Sequence, residues 1–199
     1  LKYAMSLDGK LNGQPNQRTM LTGTQAFQSS QQLRYSQQAI LIGEHTLMID
    51  DPELTVRTVT PDYPPIKIIL VNQADSLSLS EKIFQSATPV WLLTRKKSTR
   101  QWPEFVQVFQ SAEWTPHQIM KLLGEKGIQS LMVEGGSRVQ AAFAAANLID
   151  QIWLYLAPLV LGGGGLPAVL GLANSTIQQF HLTQVQRLGK DLLITARRN

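Results

Sequence analysis

SLMVEGGSRVQAAFAAAN, residues 130–147, runs from a short apolar stretch through two glycines into an alanine-rich segment. It reads as a strand (130–136) turning directly into a helix (137–147), the unit from which layered α/β folds are built. Outward from it the same alternation recurs. AILIG (39–43) is a buried strand followed by a short helix over 44–49, closed by Asp50-Asp51-Pro52. IKIILV (66–71), PVWLLT (89–94) and FVQVFQ (105–110) are further strands, and Thr115-Pro116 opens a helix to about Lys126, since proline is tolerated in a first turn. At the start, LKYAMSLDG forms a strand ending at Asp8-Gly9. A polar loop over 11–21 leads to a helix over 24–37, with Ala26, Phe27 and Leu33 facing inward and Tyr35 a further candidate. IWLYLAPLVLG (152–162) is the longest apolar strand, broken by Gly162–Gly165 and Pro167. FHLTQVQRL and LLITARR close the chain as a hairpin through Gly189-Lys190-Asp191. The expected fold is α/β, with a central mixed sheet flanked by helices and ending in an antiparallel hairpin.

Composition narrows the function classes. The 199 residues suit one domain over 1–199, with no linker. Charged residues make up 16% and hydrophobic ones 43%, so disorder is excluded. No apolar stretch approaches the roughly 18 residues of a membrane span, and LKYAMSLDGK lacks a signal peptide's apolar core. A soluble, cytoplasmic protein without membrane partners is expected. Zero cysteines exclude disulfides, thiol catalysis and Cys-ligated zinc, and His45, His117 and His181 lack metal spacing. The absent initiator methionine suggests an internal cut in a longer polypeptide.

Three segments could carry chemistry. VEGGSR (133–138) places a carboxylate, two glycines and a helix start where open α/β sheets collect ligands, and phosphate binds such helix starts. The alternative is a tight strand-to-helix turn. DDPELTVR (50–57) sets two acids and an arginine in one loop, able to orient a polar ring and hold a phosphate, or simply to close a helix. RKKSTR (95–100) holds four cations in six residues. No aromatic residues interleave it, so nucleic acid is not the expected partner. It is a solvated loop or a site for an anionic cofactor. GGGGLP (162–167) reads as a mobile loop, or as amides lining a ligand, and the four tryptophans as packing.

Taken in order, K-x-A-x-SLDGK (2–10), Leu33-Arg34, AILIG-x-x-T (39–46), DDPxLTVR (50–57), VEGG (133–136) and LxAPxxLGG (154–163) resemble the reductase domain of bacterial riboflavin biosynthesis deaminase/reductases. The resemblance implies the three-layer dihydrofolate-reductase-like fold. It also implies NADPH-dependent reduction of 5-amino-6-(5-phosphoribosylamino)uracil to the ribitylamino product. Its zinc deaminase partner needs Cys ligands and is absent here, as a cut from a chain carrying that domain N-terminally would leave it. By motif, Ala4, Thr46, Asp50, Gly135, Gly136, Ser137 and Arg138 correspond to cofactor positions. Lys2, Arg34, Leu54, Arg57 and Glu134 correspond to substrate positions. Lys2, Asp50 and Glu134 are the implied catalytic groups, with Lys2 or Asp50 relaying a proton. Arg95 is the candidate for the cofactor's 2′-phosphate. The chain departs from the family pattern where Arg18 replaces a serine that meets substrate and Met20 a tryptophan that meets cofactor. Gln73 replaces a small polar residue. The family is commonly dimeric, and the 152–162 strand with the terminal hairpin is the expected self-association surface.

Two alternatives remain at this stage. A dihydrofolate or pteridine reductase needs an acid in the helix after the first loop, and 24–37 contains none. A nucleotide-binding module without catalysis is the other, favoured by Arg18 and Met20.

Overall fold

The computed structural model describes residues 1–14, 16–171 and 177–199. Pro15, in the loop expected over 11–21, lies outside the described residues. Two compact units divide the chain: Leu1–Ser30 with Val133–Asn199, and Gln31–Met132.

The second unit is built on β2 (Ala39–Gly43), β3 (Ile66–Val71), β4 (Val90–Thr94), β5 (Val106–Gln110) and β6 (Leu131–Val133), in the order β5-β4-β3-β2-β6. β2 with β3, β3 with β4 and β4 with β5 pair in parallel. Parallel strands covered on both faces need continuous apolar runs, and Ile40, Leu41, Ile68, Ile69, Leu92 and Leu93 are all fully buried. α2 (Glu44–Asp50) follows β2, and Asp51 ends it in the left-handed region at φ 39°. α3 (Pro116–Glu125) starts with a capping box. The Gln118 amide donates to Thr115 Oγ1, and the Thr115 amide donates to Gln118 Oε1. Two short 3₁₀ turns, Ala74–Ser76 and Lys82–Phe84, join β3 to β4.

The first unit holds β1 (Lys2–Ser6), β7 (Gln151–Ala157), β8 (Phe180–Leu188) and β9 (Asp191–Arg198) in the order β1-β7-β9-β8. β1 and β7 are parallel, and β7-β9 and β8-β9 are antiparallel. Gly189 at φ 65° makes the hairpin turn. Ala26, Tyr155 and Leu193 form a buried cluster against which Ala4, Trp153 and Leu188 pack. α4 (Ser137–Ala145) buries Ala141, Phe143 and Ala144. α1 (Thr24–Tyr35) begins where the Gly23 amide donates to Asp191 Oδ2 at 2.7 Å.

The α/β class and the closing hairpin stand, and three details differ from the sequence expectation. The strands are hydrogen-bonded as two sheets, one mixed and one with parallel pairs, rather than as one central sheet. β7 stops at Ala157, because Pro158 has no amide to continue the ladder, short of the expected 152–162 run. Phe27 and Tyr35 are 37% and 54% exposed, and the inward face of α1 is Ala26, Ser30, Gln31 and Leu33.

Candidate active site

In the first unit, β1 carries Lys2 and the chain beyond β6 carries Glu134. Their side chains, only 16% and 8% exposed, form an ion pair at 2.9 Å. Lys2 Nζ also lies 5.6 Å from the ring centre of Tyr155, beside Lys2 because β1 and β7 are paired neighbours. Burial first, and then the Glu134 charge, push the Tyr155 phenol up, against a hydrogen bond with Ser29 at 3.0 Å. Phenol, ammonium and carboxylate thus form one compact polar cluster.

Directly after Glu134 comes the glycine turn. Gly135 is buried, and Gly136 caps α4 at φ 37°, a conformation that favours glycine. Among the described residues no side chain caps this helix start, an arrangement that suits an anion at its first amides. Ser137 does not add its hydroxyl to them: it is buried and donates to the Pro167 carbonyl at 2.5 Å. Arg138 is exposed, as are Arg18 and Met20. Ala4 lies inside the unit, packed on the Tyr155 cluster.

The glycine loop is tied at both ends. Asp8 accepts the amides of Leu161 at 3.1 Å and Gly162 at 2.8 Å, and the Ser6 hydroxyl at 2.5 Å. The Ser6 hydroxyl and those amides hold the Asp8 carboxyl down to about 2. The Leu166 amide donates to Asn12 Oδ1, and the Leu11 amide to the Leu166 carbonyl.

In the second unit, Thr46 and Asp50 are half-buried along α2 and Asp50 is its last residue. Beyond it the chain turns through Leu54, buried at φ 51°, a conformation that strains a residue with a Cβ. Two buried residues brace this turn: Arg34 donates Nη1 to the Thr55 carbonyl at 3.0 Å, and Gln31 Oε1 accepts the Arg57 amide at 2.8 Å. Arg34 therefore shapes the loop, while Arg57 is exposed on it. Asp51 ties to Lys82 through the amide at 2.9 Å and Nζ at 3.4 Å.

β3 and β4 end at a common edge, where Leu70, Val71, Asn72, Leu93, Arg95, Glu113 and Trp114 line a cavity of ≈ 350 Å³. Trp114 is fixed by its indole N–H donating to the Thr94 carbonyl at 3.0 Å. Arg95 donates Nε to the Ala112 carbonyl at 3.2 Å, which leaves the terminal guanidinium nitrogens for a ligand. An apolar floor, an indole, an amide and an arginine suit a flat base carrying a phosphate, with the Glu113 carboxylate on the same lining as the opposing charge. Gln73 is exposed at the rim of this edge and meets Lys96 Nζ at 3.4 Å.

The structure thus joins Lys2 with Glu134 in one unit and places Asp50, Leu54 and Arg57 on one loop of the other. The sequence reading missed Asn72, Glu113 and Trp114. A usable signal was there: β4 and β5 are parallel neighbours, so the residues just after FVQVFQ end at the same edge as Arg95. No group of three or more His, Cys, Asp or Glu able to hold a metal occurs among the described residues. Among them, too, no helix is long and apolar enough to cross a membrane.

The chain matches the family described as the RibD C-terminal domain over residues 1–194. It is 30% identical to riboflavin biosynthesis protein RibD of Bacillus amyloliquefaciens, over 98% of this chain and 56% of that protein. It therefore spans little more than half the length of that relative. It is 25% identical to a protein of Archaeoglobus fulgidus named 2,5-diamino-6-ribosylamino-4(3H)-pyrimidinone 5′-phosphate reductase, over all of this chain and 97% of that one. Among solved structures, RibD of Acinetobacter baumannii superposes with a TM-score of 0.85 at 23% identity, over all of this chain and 57% of that one, a likeness of fold.

Proposed function

The chain belongs to the RibD C-terminal domain family, and on that premise we propose that it reduces 5-amino-6-(5-phosphoribosylamino)uracil to its ribitylamino product with NADPH. The observation that carries this reading is the nearly buried Lys2–Glu134 pair, next to the start of α4, which no described side chain caps. The reaction opens the ribosylamine to an imine, then adds hydride to C1′ and a proton to nitrogen. A nicotinamide cofactor, when bound, supplies the hydride. Lys2 Nζ, 2.9 Å from a carboxylate, is the proton donor closest to hand, and Glu134 orients it and accepts from substrate N–H groups. Asp50, the other candidate acid, closes α2 at the head of the Leu54–Arg57 loop. Arg57 is assigned to the substrate phosphate, with Arg34 holding its loop in shape.

The donor set at the β3–β4 edge fits the adenosine end of NADPH. Trp114 and the leucines would take the base, and Arg95 the 2′-phosphate that distinguishes NADPH from NADH. In the first unit, the start of α4 can offer a phosphate group its backbone amides rather than the Ser137 hydroxyl. A pteridine reductase is disfavoured, because α1, TQAFQSSQQLRY, offers no acid to protonate the ring. Two copies of the chain are proposed to associate along β8, and the longer relatives make a deaminase domain on the same polypeptide the proposed partner.

Loss of NADPH absorbance with the deaminated pyrimidine, its diamino precursor and dihydrofolate separates the readings. Turnover of the first alone is expected. Glu134→Gln should lower kcat/KM by about 100-fold, the scale of a lost acid–base group, with the fold intact by circular dichroism. Wild-type activity in that variant would remove the Lys2–Glu134 pair from the chemistry.

A further inference from the structure

The chain leaves β3 and β4 at the same edge, and the two exits, 72–77 and 95–100, are tied along their length. The Lys96 amide donates to the Asn72 carbonyl at 3.1 Å. Arg100 donates Nη1 to the Leu77 carbonyl at 2.6 Å and lies 4.9 Å over the Trp102 ring. Between these ties stands Asp75. It accepts the Ser98 hydroxyl, the Thr99 amide at 2.9 Å and the Thr99 hydroxyl at 3.1 Å. The Ser98 hydroxyl first, then the Thr99 amide, hold its carboxyl below the usual range. An anion amid Arg95, Lys96, Lys97 and Arg100 works against phosphate binding if its charge faces the ligand. Here its lone pairs are occupied by the loop itself. RKKSTR is therefore a braced loop, with Arg95, Lys96, Lys97 and Thr99 still exposed to solvent.

We propose that Asp75 is a positioning residue: by bracing 95–100 it presents Arg95 to the Asn72–Trp114 cavity in one orientation, and so sets the preference for 2′-phosphorylated over plain adenosine. This rests on the reading of that cavity as the adenosine end of the cofactor site. Ordering a long cationic side chain at the moment of binding costs affinity, and holding its loop beforehand removes that cost. The Ala112 carbonyl fixes Arg95 at Nε, and Asp75 fixes the backbone that follows it.

The test is a binding measurement without turnover. Calorimetric titration of the chain with adenosine 2′,5′-bisphosphate and with 5′-AMP gives a ratio of two Kd values. Asp75→Ala is expected to reduce that ratio about fivefold, the cost of re-immobilising one side chain. If it acts through Arg95, the double variant with Arg95→Ala should be no worse than Arg95→Ala alone. Thr99→Val removes one donor to Asp75 at nearly constant shape, and should shift the ratio in the same direction should Asp75→Ala fail to fold. A lowered melting point with the ratio intact is the outcome of a purely structural acid and overturns the proposal, as do additive losses in the double variant. In both cases the cavity reading stands if Arg95→Ala lowers the ratio. If Arg95→Ala leaves the ratio unchanged, the cavity reading falls and the role of Asp75 with it.

Discussion

Lys67 and Lys2 look alike in the sequence, yet burial gives them opposite parts. Lys2 meets a carboxylate. Lys67, on β3 and 1% exposed, meets only neutral oxygens, donating to the Ile83 carbonyl at 2.8 Å and to Ser86 Oγ at 2.7 Å. Desolvation therefore pulls its ammonium from 10.5 down to about 8, with the Glu53 charge opposing. Between those values the unfolded chain binds more protons than the folded one, so stability rises with pH across that window. Below about pH 8 the full cost of burying the charge is present. Relative to Lys67→Met, the wild type should gain stability from pH 8 to 10.5, with no change in the difference from pH 6.5 to 7.5 as a control. Urea denaturation of both proteins across this range measures it, and a flat difference would show that the amine is already neutral or well solvated. The motifs singled out Lys2 and Glu134 but not their pairing across 132 residues, and nothing in the sequence marked Lys67, whose acceptors lie in a 3₁₀ turn and just beyond it.

Elements were legible where burial forces a continuous apolar run. AILIG and IKIILV were recovered with their limits and PVWLLT to within one residue, because strands covered on both faces are mostly continuous apolar runs. α1 was harder: with one apolar stripe broken by Ser30 and Gln31, its pattern does not say that Phe27 points outward. The ties of the glycine loop were not legible, because they come from Asp8 and Asn12, more than 150 residues earlier. Its glycines are accordingly unequal. A Cβ on Gly165 would collide with the Asn12 carbonyl oxygen and crowd the Lys10 side chain, whereas one on Gly164 meets nothing. Gly165→Ala should cost about 1–3 kcal/mol, the usual penalty of overpacking. Gly164→Ala should be neutral, or stabilising by up to about 1 kcal/mol through the unfolded chain. Equal denaturation midpoints for the two variants would mean that the loop yields, and that the Asp8 anchor does not define its path.

At the scale of the molecule, the low charged fraction that first marked this chain as an ordinary globular protein acquires a consequence at the edge of the mixed sheet. Among the described residues β8 pairs only with β9 and its other edge has no partner, and every residue from His181 to Arg187 is exposed. Leu182 and Val185 stand 66% and 59% exposed on it. Edge strands are usually protected by lysine, proline or a bulge. This one has a register shift between Leu182 and Gln184, and Arg187 as its only residue charged at neutral pH apart from the titratable His181. Nine residues of such a strand suit a second copy of the chain, since a symmetric pairing covers the same apolar positions on both subunits at once. Light scattering should then give twice the 22.1 kDa of the chain. The double substitution Leu182→Lys with Val185→Lys, on exposed side chains that contribute little to the fold of one subunit, should return it to a single chain without lowering its melting point at high dilution. A wild type that is monomeric at micromolar concentration, or a substituted protein that stays paired, would move the self-association surface away from β8.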